Sequence, residues 1–229
     1  MIPISRSHLF HAAFLAMAIA LAACAPSRHV RPLEKEQLAI SGSFGGPTFS
    51  NFGAPIPVPL TTVSAGYGFG DKLTGFGGLN LTSLAFGTLQ LDLGVTRLLL
   101  EPNGARPGIS VTPVANVLLG LREGAFRLYP SVDANAYWEY GERKSYVYGG
   151  LGSWFVFAGD RAHDADQPQQ FLPNFQVGHV LSGRKWDFQA EMKWTNFTAQ
   201  NQDATIDWAG IGGSGAFGIF LGISKRIGK

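Results

Sequence analysis

Across 229 residues, 18 Lys plus Arg nearly balance 16 Asp plus Glu, and the net charge of +2 leaves no electrostatic footprint for nucleic acid. A single cysteine, Cys24, excludes an intramolecular disulfide, a CxxC redox pair and a thiolate metal cluster. Hydrophobic residues reach 45%, yet after the opening segment no apolar run approaches the ~18 residues a transmembrane helix needs, so the apolar content is spread in another pattern.

In chain order, the first element is a leader. Met1 to His8 carries Arg6 as its one fixed charge, and Leu9 to Ala23 is almost wholly apolar, short for a spanning helix and finished by small residues. Residues 1–23 are therefore expected to be a signal peptide. Leu21-Ala22-Ala23-Cys24 resembles the bacterial lipobox, and that resemblance implies cleavage before Cys24 and acylation of its thiol and new amino terminus. Two acyl chains suffice for stable anchoring, at about 0.8 kcal/mol per buried CH₂. The alternative is an ordinary signal peptide cut after Ala-x-Ala beside a chance cysteine. Ala25 follows Cys24, and by resemblance to lipoproteins sorted at that position, the absence of Asp favours the outer membrane. Residues 24–36, with Pro26, Pro32 and mixed charge, read as the lipidated cysteine and a tether.

From residue 37 to 229 the pattern has a period of two. Leu89, Leu91, Leu93 and Val95 oppose Gln90, Asp92, Gly94 and Thr96; Phe126, Leu128, Val132, Ala134, Ala136 and Trp138 oppose Arg127, Tyr129, Ser131, Asp133, Asn135 and Tyr137. Trp186, Phe188, Ala190, Met192 and Trp194 alternate with Asp187, Gln189, Glu191 and Lys193. No helix uses such a period; strands do. Ten strands are expected near 37–46, 58–69, 73–82, 87–99, 110–120, 125–138, 145–157, 173–182, 186–198 and 214–225, in an all-β, antiparallel up-and-down barrel. An eight-strand arrangement, with 73–99 paired differently, is the alternative.

Alternation alone leaves the direction of the apolar face open, because a soluble calyx alternates too. Trp186 and Trp194 share a face about 26 Å apart at ~3.3 Å per residue, or about 20 Å of depth at a ~40° tilt, close to the ~25 Å apolar band of an outer-membrane barrel. Trp138, Trp154, Trp186 and Trp194 are then expected as membrane-girdle aromatics. The opposite face is expected to carry a lumen charge network of Asp92, Arg97, Arg127, Asp133, Glu191 and Lys193. An even strand number puts both termini on one side. Gly70-Asp71-Lys72, Tyr140 to Lys144 and Ser182 to Lys185 become inner turns, and 47–57, 159–172 and 199–213 outer loops, although 102–108 is long for an inner turn and 122–124 short for an outer loop.

These residues resemble the small outer-membrane β-barrel superfamily of Gram-negative bacteria, in a lipid-anchored variant. The final strand, with Phe217, Ile219, Leu221 and Ile223 on one face, is similar to the signal read by barrel-insertion machinery. It departs from that pattern by ending Ser224 to Lys229 without a terminal aromatic. The resemblance implies outer-membrane lipid, barrel-insertion machinery and lipoprotein-sorting machinery as partners, with the amino terminus lipid-anchored on the periplasmic side.

Motifs that carry chemistry are sparse. Gly75-Phe76-Gly77-Gly78 and Gly210-Ile211-Gly212-Gly213 lack the strand-to-helix context and Lys-Ser or Lys-Thr of a phosphate cradle. Asp160, His163, Asp164 and Asp166 match no calcium loop and read as a solvated acidic loop. His179 and Ser182 invite comparison with lipid hydrolases, but residues three apart on a strand point to opposite faces. No catalytic residue, metal or cofactor is expected beyond the acyl chains on Cys24. The expected role is non-enzymatic, structural or loop-mediated, without a wide pore. The alternatives are a lipid-tethered calyx for a small apolar ligand and, more remotely, a lipid-modifying barrel enzyme.

Overall fold

The computed structural model describes residues 26, 28–51, 54–122, 124–157, 169–201 and 208–228. The expected leader, Cys24 and the Asp160 to Asp166 loop lie outside the described residues. Where one face of a segment is apolar and the other polar with a period of two, the chain forms a strand: β1 Leu38–Asn51, β2 Ala54–Pro57, β3 Leu60–Gly70, β4 Leu73–Asn80, β5 Thr88–Leu100, β6 Gly108–Gly120, β7 Phe126–Tyr140, β8 Ser145–Phe155, β9 Phe171–Ser182, β10 Trp186–Gln200 and β11 Ser214–Ile227. Among the described residues one short helix, α1 Leu81–Ala85, interrupts the series, capped by the Asn80 side chain accepting from the Ser83 N–H.

Each strand pairs antiparallel with the next, and β11 returns to β1 in register from Leu38↔Ile227 to Pro47↔Gly218. β2 stands apart, folding back on the end of β1 at Thr48↔Pro57 to Asn51↔Ala54. The other ten strands close an up-and-down barrel, which leaves no free edge in its wall. β4 pairs with β3 and β5 in the expected order, so the eight-strand alternative is set aside. The start of β1 and the end of β11 share one rim, called proximal here, with the turns at 71–72, 101–107, 141–144 and 183–185.

Burial settles the direction of the two faces. The inward positions carry the polar set, with Thr74, Gln90, Thr96, Asn116, Asn135, Asn174, Gln176 and Glu191 all buried, together with apolar clusters such as Leu118 with Trp154 and Leu60 with Phe220. The outward positions are apolar and bare, with Phe126 64% and Leu151 61% exposed and Leu93, Phe188, Met192 and Leu221 alongside them. A soluble protein buries the opposite set. This inversion is the physical signature of a barrel whose outer wall is solvated by hydrocarbon. No described helix is long and apolar enough to cross a membrane.

Aromatics border the apolar wall at both rims. Tyr67, Phe69, Trp138, Tyr140 and Trp186 are exposed near the proximal rim, and Phe126, Phe157, Phe171 and Phe175 near the distal one. Trp194, half-buried, donates its indole N–H to the Ser214 carbonyl at 2.8 Å. Trp154 is a correction: it is buried, packed with Leu118, Tyr129 and Val156. Its register explains this, because Trp154 pairs with inward-facing Ser131, and directly paired residues share a face.

Candidate functional site

Polar and charged side chains converge in the lumen, and its proximal half holds a segment the period-two pattern did not place there. Residues 28–37, here called the strap, do not form the expected tether. They enter the barrel and form hydrogen bonds or ion pairs with six of its strands. The Glu36 N–H donates to the Gly68 carbonyl at 2.8 Å and the Gly68 N–H donates back to Gln37 at 3.0 Å. Farther in, the Leu33 N–H donates to Thr74 Oγ1 at 2.7 Å and Ser110 Oγ donates to the Val30 carbonyl at 2.6 Å. Val30 and Leu33 are both buried.

Two arginines fix the first half of the strap. Arg28 Nη2 lies 2.7 Å from Asp92 Oδ2, with both side chains almost fully enclosed. Arg31 donates to Glu139 Oε1 at 3.0 Å and to the Lys144 carbonyl at 2.6 Å, reaches Ser182 Oγ at 3.4 Å, and stacks 4.9 Å above the Tyr146 ring. An enclosed ion pair is costly to desolvate and is tolerated where its geometry is good. The wall is hollowed to receive the strap. A Cβ at Gly68 would sit 2.0 Å from the Glu34 carbonyl oxygen, one at Gly66 would sit 2.4 Å from His29 Nε2, and one at Gly78 would sit 2.9 Å from the Arg28 guanidinium. Burial, reinforced by the neighbouring Arg28 charge, lowers the His29 pKa to about 4.

The expected lumen network is assembled in part. Asp92 serves the strap. Lys193 Nζ lies 4.0 Å from Asp133 Oδ2, with both residues buried. Glu191 accepts from the Tyr148 hydroxyl at 2.7 Å, and Gln189 donates to that same hydroxyl at 2.6 Å. Gln176 donates to Asn135 Oδ1 at 3.1 Å. Arg127 shares the inward parity of Tyr129 and is half-buried near the distal rim. Arg97 is a correction: it is exposed on the outer wall with Leu93, Val95 and Leu99, the odd-numbered face of β5, while Asp92 and Thr96 share the inward parity.

Apolar side chains close the distal half. Leu118, Tyr129, Trp154 and Val156 form one cluster with Leu172, and Val58, Leu60 and Phe220 form another with Phe49 and Trp208. Beside the strap a cavity of about 600 Å³ remains at the proximal mouth, with Ser41, Ser43, Ser64 and Ser224 along one side.

His179 and Ser182 do not meet. Ser182 is buried on the inward side beneath Arg31, while His179 faces outward, hydrogen-bonded to the Tyr140 hydroxyl and stacked on its ring at 5.8 Å. Among the described residues no group of three or more His, Cys, Asp or Glu side chains is placed to hold a metal ion. The arrangement fills and rigidifies a lumen. Sequence reasoning missed Arg28 and Arg31 because a proline-bearing charged segment reads as solvated chain. The available signal was Gly66, Gly68 and Gly78, three empty positions of inward parity on adjacent strands.

No family model matches the chain, and no curated protein sequence matches it. Among solved structures it is similar to the translocator domain of the autotransporter NalP from Neisseria meningitidis, at 10% identity and a TM-score of 0.48, covering 96% of this chain and 98% of that one. It is also similar to the outer membrane protein OprG from Pseudomonas aeruginosa, at 11% identity and a TM-score of 0.34, covering 87% and 100%. A third neighbour is the N-terminal β-barrel domain of Pseudomonas aeruginosa OprF, at 12% identity and a TM-score of 0.34, covering 85% and 100%.

Proposed function

We propose that this chain is a non-enzymatic, lipid-anchored outer-membrane barrel that closes its own lumen, with a structural role in the envelope or one exercised through its distal loops. The observation that carries this reading is the filled lumen: the strap occupies the proximal half, the Lys193, Asp133, Glu191 and Tyr148 contacts cross the middle, and aromatic clusters occupy the distal end. A barrel of about ten strands is filled by its own side chains rather than holding a wide channel. Acylation of Cys24 on the periplasmic side, after cleavage of residues 1–23, adds a second hold on the membrane. Lipoprotein-sorting and barrel-insertion machinery would deliver it.

The test replaces Cys24 with Ala behind a conventional signal peptide and extracts the envelope membranes with urea and carbonate. Retention in the membrane with a band that shifts on boiling is expected, together with negligible conductance in a planar bilayer. Release as a folded soluble protein, or a large steady conductance, would overturn the reading.

A further inference from the structure

Glycine recurs on both sides of β4. Gly78 faces inward beneath Arg28, while Gly75 and Gly77 face outward: the Phe69 ring folds over Gly75, and Gly77 lies low beside Leu93 of β5. The outer wall is therefore depressed, forming a groove of about 800 Å³. Ala65, Gly77 and Ala115 form its floor, and Leu93, Val95 and Pro130 its flanks. It begins at Tyr67 and Phe69 by the proximal rim and crosses from β3 to β7, four interstrand spacings, or about 19 Å at ~4.8 Å each. That is the reach of one acyl chain within a single leaflet of a hydrocarbon core about 30 Å thick.

A cation stands on the same face. Arg97 lies two residues beyond Val95 toward the proximal rim, between Leu73 of β4 and Val111 of β6, exposed and in no ion pair among the described residues. An outward arginine is costly at the bilayer centre and nearly free at its interface, where a long side chain reaches the headgroups. We propose that the outer wall from β3 to β7 is a binding site for one phospholipid, its acyl chain in the groove and its phosphate on Arg97. The guanidinium supplies charge-assisted donors for the phosphate. Glycine and alanine supply the depth that the larger side chains around the rest of the belt would fill.

The site rests on the proposed embedding of the barrel in a membrane. Its test uses the full chain in mild detergent, mixed with phosphatidylglycerol or phosphatidylcholine and weighed intact by native mass spectrometry. One retained phospholipid is expected for either headgroup, since the phosphate is common to both. Arg97→Gln is expected to weaken retention about tenfold, the worth of a charge-assisted hydrogen bond, and Arg97→Lys to restore most of it. The double variant Ala65→Leu with Ala115→Leu fills the groove and is expected to abolish the adduct. A boiling-dependent gel shift monitors folding in each variant. A folded wild-type barrel with no adduct, an adduct indifferent to both sets of variants, or a groove variant that splits a protein dimer instead would overturn the site. Failure of the chain to remain in extracted membranes would overturn the embedding itself, which separates the two outcomes.

Discussion

Along β3 and β4 the lumen-facing positions include Gly66, Gly68 and Gly78, and the space they leave is taken by the strap, whereas along β7 to β10 Tyr137, Tyr148, Gln176, Glu191 and Lys193 fill the space themselves. The first wall is completed by a segment from outside the sheet, through the His29 and Arg28 side chains and the Glu34 main chain. The second is completed by side chains fixed to the strands that bear them. Losing a contact on the first side can therefore release a segment and leave the barrel closed. Losing one on the second leaves a buried polar group one hydrogen bond short, with nowhere to go.

The largest effect should come from Asp92→Asn, which leaves the enclosed Arg28 charge without a counterion. Breaking one side of a buried pair costs about 3–5 kcal/mol. The strap is expected to leave the lumen, so that trypsin cleaves after Arg28 or Lys35 in intact membranes while the gel shift on boiling persists. Resistance equal to that of the parent would show that the ion pair does not hold the strap.

On the opposite wall, Tyr148→Phe removes the hydroxyl that Glu191 and Gln189 share. A cost of about 1–3 kcal/mol is expected, read as a lower temperature for loss of the folded gel band. The strap should stay protected from trypsin. Cleavage after Arg28 or Lys35 in this variant would mean that the two walls are not independent.

The smallest effect concerns pH. His29 is neutral when docked, with its pKa lowered to about 4, whereas in a released strap it titrates near its ordinary value of 6.5. The released form therefore binds the proton first, and docking weakens as pH falls from about 6.5 toward about 4. At neutral pH and above, His29 contributes no such dependence. Near pH 5.5 the weakening is about tenfold. Trypsin accessibility of the strap measured across this range should rise on acidification, and His29→Phe should flatten that component of the profile.

The barrel was legible in the sequence because its signal is local. Each strand declares its period within about ten residues, and Gly70-Asp71-Lys72 or Ser182 to Lys185 mark their own turns. All ten expected strands overlap observed ones. Parity also explains the errors. Arg97 has the odd number of Leu93 and Val95, so charge alone was a poor reason to send it inward. Trp154 follows an inward series through Tyr146 and Tyr148, which carries it into the distal lumen although it flanks a loop among girdle aromatics. The strap was illegible for another reason. Its partners Thr74, Asp92, Ser110 and Glu139 are distant in the chain, and no period links a segment to a cavity formed by strands that follow it.

That separation also orders events in time. Arg28 meets Asp92 across 64 residues, Val30 meets Ser110 across 80, and Arg31 meets Ser182 across 151. The wall itself closes only when β1 meets β11, as Ser41 meets Ser224 across 183 residues. Contacts of such long range form late, after the intervening chain has been organised. The strap precedes every strand in the sequence, yet its seat is complete only once β9 has been laid down, so the segment made before the barrel is among the last to settle into it.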